Sequence, residues 1–444
     1  MVPNEIVTGV RRVGDFVDFD PETPTVKVTL ERSERGIGVA ISWSESDSPY
    51  AAWFVGSHSL RIPPIATSKP VPKRACFQDS HGSVLLIRCW AQGFHSIIGG
   101  PGSGTLWSRA AILDVSEDIE FESPHGLRTE ISGLREWLGV TSWTEQVEHD
   151  GGSVVATLTS QSPPPIVVGS FRGITVSLRP GWQIVRDRAS DRRVVLDLVR
   201  CESTSGEPLG WDAHLAVHFA IRDLLVLSRW HPESCVEVFV SRADDPLRTE
   251  DGKDHGAQWR EVVVADDKRA LQPSGVRLHL YSWDLLKEAG VLHWLSLRDE
   301  FARALDPVIS SIELQGTSPT TLLAHSGPGL EALGYLLMVR DGIAASSAAR
   351  ASLLTRFHRI LQDLGDCLPF DGSTWAKTTV ATYNGLKHAN RAAPDEIDVL
   401  NAWRESVVVV RAWVALELGI PPELVKQRLS RDPQRHPFVK LGSA

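Results

Sequence analysis

Cysteine is scarce in this sequence, and the few cysteines lie far apart. Five are present in 444 residues, at Cys76, Cys89, Cys201, Cys235 and Cys367, and no two have the CxxC spacing. An odd and scattered set argues against a disulfide framework and against a structural zinc site, because both need cysteines grouped at short intervals.

Long apolar runs are also missing. The most apolar stretch begins at Val407 and is interrupted by Arg411 and Glu417, so it is too short to span a bilayer. The first sixteen residues, which end at Phe16, contain no apolar core of a signal peptide. We therefore expect a cytoplasmic protein without membrane contact.

Positive charge is not in excess. The net charge is −9, and the part from Val291 onward is neutral, with 16 Lys+Arg against 16 Asp+Glu. The deficit therefore lies in the first 290 residues, which are a poor nucleic-acid binder and a better protein binder. Any RNA contact must come from a local patch in the neutral part.

The chain divides into a β-rich part and a helical part. Up to about Asp284, short runs with strand chemistry alternate with turn signals, and two helices interrupt them, a short one near Ile131 and a long one from Trp211 to Arg229. The strand candidates begin at Thr25, Gly36, Ala51, Ser83, Ser153, Gly173, Arg193, Cys235, Arg260 and Arg277. This pattern predicts antiparallel, sandwich-like sheets.

After Asp284 the apolar period becomes 3.6, which predicts an α-helical bundle of about 150 residues. In its last long helix we expect Pro394 at the first helical position, followed by acidic residues. The predicted fold class is α+β and multidomain. We expect a β-rich lobe at 1–150, a second β-rich lobe with one long helix at 151–290, and the helical domain at 291–444.

Three signals resemble functional motifs. Gly99 and Gly104 are spaced as in a phosphate loop, but Thr105 occupies the place of the required lysine, so a glycine-rich hairpin turn is predicted. His214 and His218 lie four apart on a helix without a third metal ligand, and we expect packed or partly exposed histidines. The basic tail, defined by five cations, is a candidate phosphate-contacting patch or a solvated end. Its residues are Lys426, Arg428, Arg431, Arg435 and Lys440.

The stretch from Trp375 to Arg391 organises the candidate site. On a helix, one side would face a core with Trp375, Ala376, Val380, Tyr383, Leu386 and Ala389, and the other would carry Lys377, Asn384, His388 and Arg391. An amide, an imidazole and two cations in one stripe are suited to grip and cleave a phosphodiester. The alternative is the solvated face of an amphipathic helix, which most such stripes are.

The segment from Tyr383 to His388, reading YNGLKH, resembles the motif of HEPN domains, which are α-helical bundles and in many cases metal-independent ribonucleases. Their signature is an arginine, a polar residue and then a histidine. Asn384 matches the polar position and His388 the histidine. The layout of the chain, with GLREWLG from Gly133 in the β-rich region and GLEALGYLL before the terminal bundle, is similar to the ApeA family of bacterial anti-phage proteins.

This resemblance implies an abortive-infection protein. The N-terminal region would sense an infection signal, such as a phage-derived protein, and the HEPN domain would then cleave RNA, with tRNA as the expected substrate. His388 would transfer protons, Asn384 would orient the substrate, and Lys387 or Arg391 would hold the phosphate. The resemblance also implies a homodimer and requires neither metal nor another cofactor.

One departure separates this sequence from the motif. Tyr383 occupies the arginine slot, and tyrosine carries no positive charge near neutral pH. Losing such a contact from a transition state costs about 2–4 kcal/mol. Either other cations rebuild the site, from Lys387, Arg391, Arg356, Arg359 or a partner subunit, or the HEPN domain is catalytically silent and serves RNA binding or dimerisation. A carbohydrate-binding β module is a third reading, which only the fifteen tryptophans favour.

Overall fold

The structure is a computed structural model that describes residues 3–45, 48–55, 70–97, 100–150, 153–187, 192–264 and 278–439. The strands, in chain order, are β1 (Arg11–Val17), β2 (Val26–Ser33), β3 (Gly36–Trp43), β4 (Arg74–Asp79), β5 (Gly82–Ile87), β6 (Trp90–Ser96), β7 (Gly102–Ser108), β8 (Ala110–Leu113), β9 (Gly126–Ile131), β10 (Trp143–Asp150), β11 (Ser153–Ser160), β12 (Ile166–Phe171), β13 (Ile174–Asp187), β14 (Arg192–Thr204), β15 (Cys235–Ser241), β16 (Pro246–Arg248), β17 (Asp254–Ala257) and β18 (Arg260–Val264).

Helices interrupt the β-rich region and make up the rest of the chain. They are α1 (Pro49–Val55), α2 (Leu134–Leu138), α3 (Trp211–Arg229), α4 (Trp283–Glu300), α5 (Ala302–Glu313), α6 (Pro319–Arg340), α7 (Ala345–Arg350), α8 (Leu353–Leu364), α9 (Gly372–Lys387), α10 (Glu396–Glu417) and α11 (Pro422–Leu429). The predicted fold class is therefore confirmed: a large antiparallel sheet region precedes a helical bundle.

The chain folds into two compact units. Unit 1 comprises Met1–Thr129, Ser203–Leu215 and Val236–Arg269, and unit 2 comprises Glu130–Glu202, Ala216–Cys235 and Ala270–Ala444. The division into lobes at 1–150, 151–290 and 291–444 stays a prediction.

Unit 1 is built on an antiparallel sheet with the strand order β15-β18-β8-β5-β4-β1-β2-β3-β7-β6. The stretch at Ala51, predicted as a strand, is instead helix α1, which packs on β3, β6 and β7. That prediction was wrong because a short apolar run fits a buried helix as well as a strand. Trp53 and Phe54 of α1 are buried in the sheet core.

The glycine-rich segment after β6 is the hairpin connection to β7, as predicted, although Ile98 and Gly99 lie outside the described residues. Gly102 and Gly104 of β7 are required for packing. A Cβ at Gly104 would lie 2.5 Å from the Phe54 ring, and one at Gly102 would lie 2.6 Å from the Trp43 ring. These glycines therefore admit aromatic rings against the strand.

Unit 2 contains the strands β12, β13 and β14, the separate two-stranded hairpin β10–β11, and helices α4 to α11. Helix α6 packs against α5, α8, α9 and α10. A Cβ at Gly334 of α6 would lie 2.6 Å from the Arg356 carbonyl oxygen, so this glycine permits the close approach of α8. Helix α10 is buried over most of its length, including the charged Arg404 and Arg411.

Two local predictions in unit 2 were wrong. Helix α10 begins at Glu396 and not at Pro394, because the Asp395 carboxylate caps it by accepting from the Ile397 amide at 3.0 Å. Leu278 to Ser282 form no strand, and Arg277 lies outside the described residues. Within the residues that the structure describes, no helix is long and apolar enough to cross a membrane.

Candidate nucleic-acid interface

Helix α9 positions the predicted motif. The Asp371 carboxylate caps its start by accepting from the Thr374 amide at 2.6 Å, and the buried Trp375 ring stacks on Phe357 with centroids 5.0 Å apart. The helix ends at Lys387, because His388 adopts extended backbone angles (φ −123°, ψ 109°). The prediction of a helical stripe through His388 and Arg391 was therefore wrong beyond Lys387.

His388 and Arg391 nevertheless share a tight turn after the helix. The Arg391 amide donates to the His388 carbonyl oxygen at 3.0 Å, which closes a four-residue turn. Both side chains are exposed, and neither makes a hydrogen bond or ion pair with any residue in the described part of the chain. The turn thus presents an imidazole and a guanidinium to solvent, and no carboxylate in the described part of the chain pairs with either.

Asn384 lies one turn before the helix end and is half-buried. Its carbonyl oxygen accepts from the His388 amide at 3.1 Å, so its backbone fixes where His388 leaves the helix. Gly385 next to it is helical, and a Cβ there would lie 3.1 Å from the Ala392 carbonyl oxygen. The loop after the motif therefore folds back over the last turn of α9.

Tyr383, in the arginine slot, is a packing residue. Its side chain belongs to a buried apolar cluster with Leu323, Val399 and Ala402, and a Cβ at Gly327 would lie only 2.3 Å from its ring. Burial, with the nearby Glu331 carboxylate, raises the pKa of Tyr383 to about 12. The phenol is therefore neutral at physiological pH and supplies no positive charge.

Glu331 on α6 links the cations near the motif. Its carboxylate lies 3.2 Å from the Lys387 ammonium and 3.7 Å from the Arg356 guanidinium. The Lys387 ammonium also lies 5.3 Å from the Tyr383 ring centroid. Lys387, a predicted RNA-binding residue, is thus already paired with a carboxylate.

A cleft of about 410 Å³ opens beside Glu331. The Arg356 guanidinium lies 6.0 Å from the Tyr335 ring centroid and donates to the Ala349 carbonyl oxygen at 2.9 Å. Arg303 on the rim is exposed. The lining residues are Arg303, Pro328, Glu331, Ala332, Tyr335, Leu336 and Arg356. Of these residues, only Arg356 was predicted from the sequence as a site residue. The i, i+4 spacing of Glu331 and Tyr335 on α6 was the available signal.

Two segments of the chain, one in the β-rich region and one in the helical bundle, match known protein families. Residues 19–254 match the description "ApeA N-terminal domain 1", which covers more than half of the chain. The chain belongs to the ApeA family. Residues 339–424 match "Apea-like HEPN", and this segment includes α9, the turn at His388 and all of α10. No curated protein and no solved structure matches significantly.

Arg359, another cation proposed to replace the missing arginine, forms ion pairs within the ApeA-like HEPN segment. The Arg359 guanidinium pairs with Asp341 and, at 2.7 Å, with Asp363. The hydrogen bond that the Arg359 guanidinium donates to the Asp341 carboxylate is the main cause of the raised pKa of Arg359. Arg359 is therefore neutralised and is not available to rebuild the missing arginine.

Two cations of the basic tail already have partners within the chain. Lys426 pairs with Asp366 at 2.7 Å, and the Arg428 guanidinium donates to the carbonyl oxygens of His279 and Leu280. Lys440 lies outside the described residues. Arg431 remains exposed, so the tail offers less free charge than its sequence indicates.

The paired histidines of α3 are packing residues. Packed or partly exposed histidines were expected, and the structure shows that His214 and His218 are both fully buried. His214 Nδ1 lies 2.9 Å from the Ser203 hydroxyl, and burial lowers the pKa of this histidine. Over the described ranges, no group of three or more His, Cys, Asp or Glu side chains could hold a metal ion.

Proposed function

We propose that this ApeA-family protein acts in defence against phage, and that its HEPN domain cleaves RNA. The family matches support a HEPN-containing protein of the defence type. The single observation that supports cleavage is the turn after α9, which holds the exposed His388 and Arg391, neither of whose side chains pairs with another of the described residues. The N-terminal region would sense the infection signal, and tRNA is the expected substrate.

The proposed chemistry is an internal transfer at phosphorus. The ribose 2′-oxygen attacks the phosphorus, the bond to the 5′-oxygen breaks, and a 2′,3′-cyclic phosphate and a 5′-hydroxyl result. His388 would take the proton from the 2′-hydroxyl as general base, and the departing 5′-oxygen would take up a proton from water to become the 5′-hydroxyl. Arg391 would bind the phosphate by charge-assisted hydrogen bonds, which are about twice as strong as neutral ones.

The cleft beside Glu331 is the proposed path of the RNA strand. Tyr335 offers an aromatic ring, and base–aromatic stacking contributes about 1–3 kcal/mol per base. The exposed Arg303 guanidinium borders the same cleft and would hold the backbone. Glu331 connects this cleft with Lys387, the neighbour of His388 in the chain.

The decisive experiment measures RNA cleavage by the purified full chain in EDTA, with tRNA and a single-stranded RNA as substrates. Cleavage by the wild type, absent in His388→Ala and reduced about a hundredfold in Arg391→Ala, supports the proposal. Full cleavage by His388→Ala contradicts it. A phage-infection extract is added in a second series, so that a chain needing a trigger is also tested.

A silent HEPN domain is the second candidate, and the burial of Tyr383 favours it. In that case the domain binds RNA through Arg303, Tyr335 and Arg391 without cutting it. The wild type would then bind RNA, leave it intact with and without the extract, and protect cells from phage as well as His388→Ala does.

A further inference from the structure

The hairpin β10–β11 has one apolar face and one polar face. The strand register places Glu145 opposite Leu158, Val147 opposite Ala156, and His149 opposite Val154. These six side chains share one face because the side chains of a strand alternate. The other face carries the pairs Thr144 with Thr159, Gln146 with Thr157, and Glu148 with Val155. We call the face that carries Val147, Val154 and Leu158 the hairpin face.

The hairpin face is open to solvent. Val147 is 50%, Val154 is 63% and Leu158 is 47% exposed. An isolated two-stranded hairpin is only marginally stable in water, and exposed apolar patches mark interaction sites. The structure therefore presents an apolar surface with the alternation typical of a covered sheet face.

We propose that a second copy of this chain covers the hairpin face. A two-fold axis that crosses both strands at the Val147–Ala156 pair would stack the two hairpins face to face, with each strand antiparallel to its copy. Val154 then packs against the partner's Leu158, and Val147 against its own copy. Such an isologous contact uses one patch twice.

The charges of the hairpin face are complementary to those of a second copy of the chain. Glu145 and His149 lie two residues to either side of Val147 on the same face. The two-fold arrangement therefore brings each Glu145 carboxylate over the partner's His149 imidazole, so that the single acid and the single base of one face meet their opposites. No other molecule is needed to satisfy the pattern.

Neighbouring strands add apolar surface beside the base of the hairpin. The Ser142 hydroxyl donates to the Gly181 carbonyl oxygen at 3.0 Å, and the Ser142 amide donates to Asp197 at 2.8 Å. Close to these anchors, four large apolar side chains of β13 and β14 are exposed: Trp182, Ile184, Val194 and Leu196. These side chains enlarge the apolar surface that a second copy would cover, and we expect a weak dimer.

Sedimentation velocity over a wide concentration range tests the contact with two valine variants of one hairpin. Val147→Glu puts two carboxylates against each other across the axis, and we expect dimerisation to weaken by about a hundredfold. Val155→Glu, on the opposite face and equally exposed at 51%, is the matched control and should dimerise as the wild type does. Circular dichroism confirms that each variant is folded.

A charge exchange tests the register. Glu145→Lys should weaken the dimer, and Glu145→Lys combined with His149→Glu should restore it, because the pair is then reversed and again complementary. A wild type that stays monomeric, a Val147→Glu variant that associates as strongly as Val155→Glu, or a double variant no better than Glu145→Lys would overturn the proposal.

Discussion

At the scale of single residues, the tyrosine in the arginine slot changes what the motif can do. Tyr383 is held by apolar neighbours and stays neutral, with a pKa of about 12 that burial and Glu331 cause. Positive charge near His388 must come from elsewhere, and the exposed Arg391 in the same turn is the nearest cation along the chain that no carboxylate neutralises among the residues described. The candidate site is therefore a turn after the helix and not a stripe on it.

The Tyr383 hydroxyl should be dispensable. We expect Tyr383→Phe to change RNA cleavage by less than about twofold and the free energy of unfolding by less than about 1 kcal/mol, because the ring provides the packing. Its cleavage rate should keep the pH profile of the wild type, since a phenol with a pKa of about 12 does not titrate near neutrality. A loss of about a hundredfold would instead assign the hydroxyl a part in the transition state.

Glu331 should weaken RNA binding in the wild type, because its carboxylate neutralises Lys387 and opposes the phosphate backbone. Glu331→Gln removes one negative charge at nearly the same size. We expect RNA to bind about fivefold more tightly at low salt, an effect that added salt diminishes. Fluorescence anisotropy with labelled RNA measures this.

The matched control is Glu288→Gln, which removes an equally charged but exposed carboxylate from α4. An equal gain in affinity in both variants would show a general charge effect and would remove the special role of Glu331.

At the scale of elements, the approach of α6 to α9 depends on a glycine. A Cβ at Gly327 would lie 2.3 and 2.6 Å from two atoms of the Tyr383 ring. Replacing a helical glycine by alanine usually stabilises by about 1 kcal/mol, whereas forcing extra volume into a packed core costs about 1–3 kcal/mol. At Gly327 we expect the cost of the clash to exceed the gain in helix stability.

Gly327→Ala should therefore lower the free energy of unfolding by about 1–2 kcal/mol, as measured by chemical denaturation. The double-mutant cycle with Tyr383→Leu provides the check, because a smaller side chain leaves room for the new methyl group. In the Tyr383→Leu background the alanine should be neutral or stabilising. The same penalty in both backgrounds would place the strain elsewhere.

The sequence predicted regular elements better than the contacts between them. Helix α3 runs from Trp211 to Arg229 as predicted, because its apolar period is uninterrupted. The end of α9 was missed because a returning loop sets it: Pro394 and Ala392 approach Gly385. Nothing in the local spacing around Lys387 indicates a carboxylate 56 residues earlier in the chain. The Glu331 contact arises from the packing of α6 on α9.

Charge pairs also act at the scale of the whole molecule, through the pH dependence of stability. Burial of Asp79 in unit 1 opposes its ionisation, but the Arg12 guanidinium and the His81 amide outweigh burial and lower the pKa of Asp79 to about 2. A depressed folded-state pKa adds stability above the unfolded value of 3.8, and this stability is lost as the pH falls toward 2.

Asp79→Asn should accordingly lower the free energy of unfolding at pH 7 by about 2 kcal/mol. It should also flatten the loss of stability between pH 4 and 2, measured by urea denaturation at several pH values. Asp15→Asn is the control, since Asp15 pairs with Lys27 in an exposed salt bridge of the same sheet. An equal effect of both substitutions would contradict the assignment to the buried pair.

The proposed RNA cleavage depends most on the His388 imidazole at the end of α9. The most direct measurement is the rate of RNA cleavage in EDTA by the wild type, by His388→Ala and by His358→Ala, which removes another exposed histidine of the same bundle. We predict cleavage by the wild type and by His358→Ala, and none by His388→Ala. Undiminished cleavage by His388→Ala, or equal losses in both variants, would contradict the proposed site.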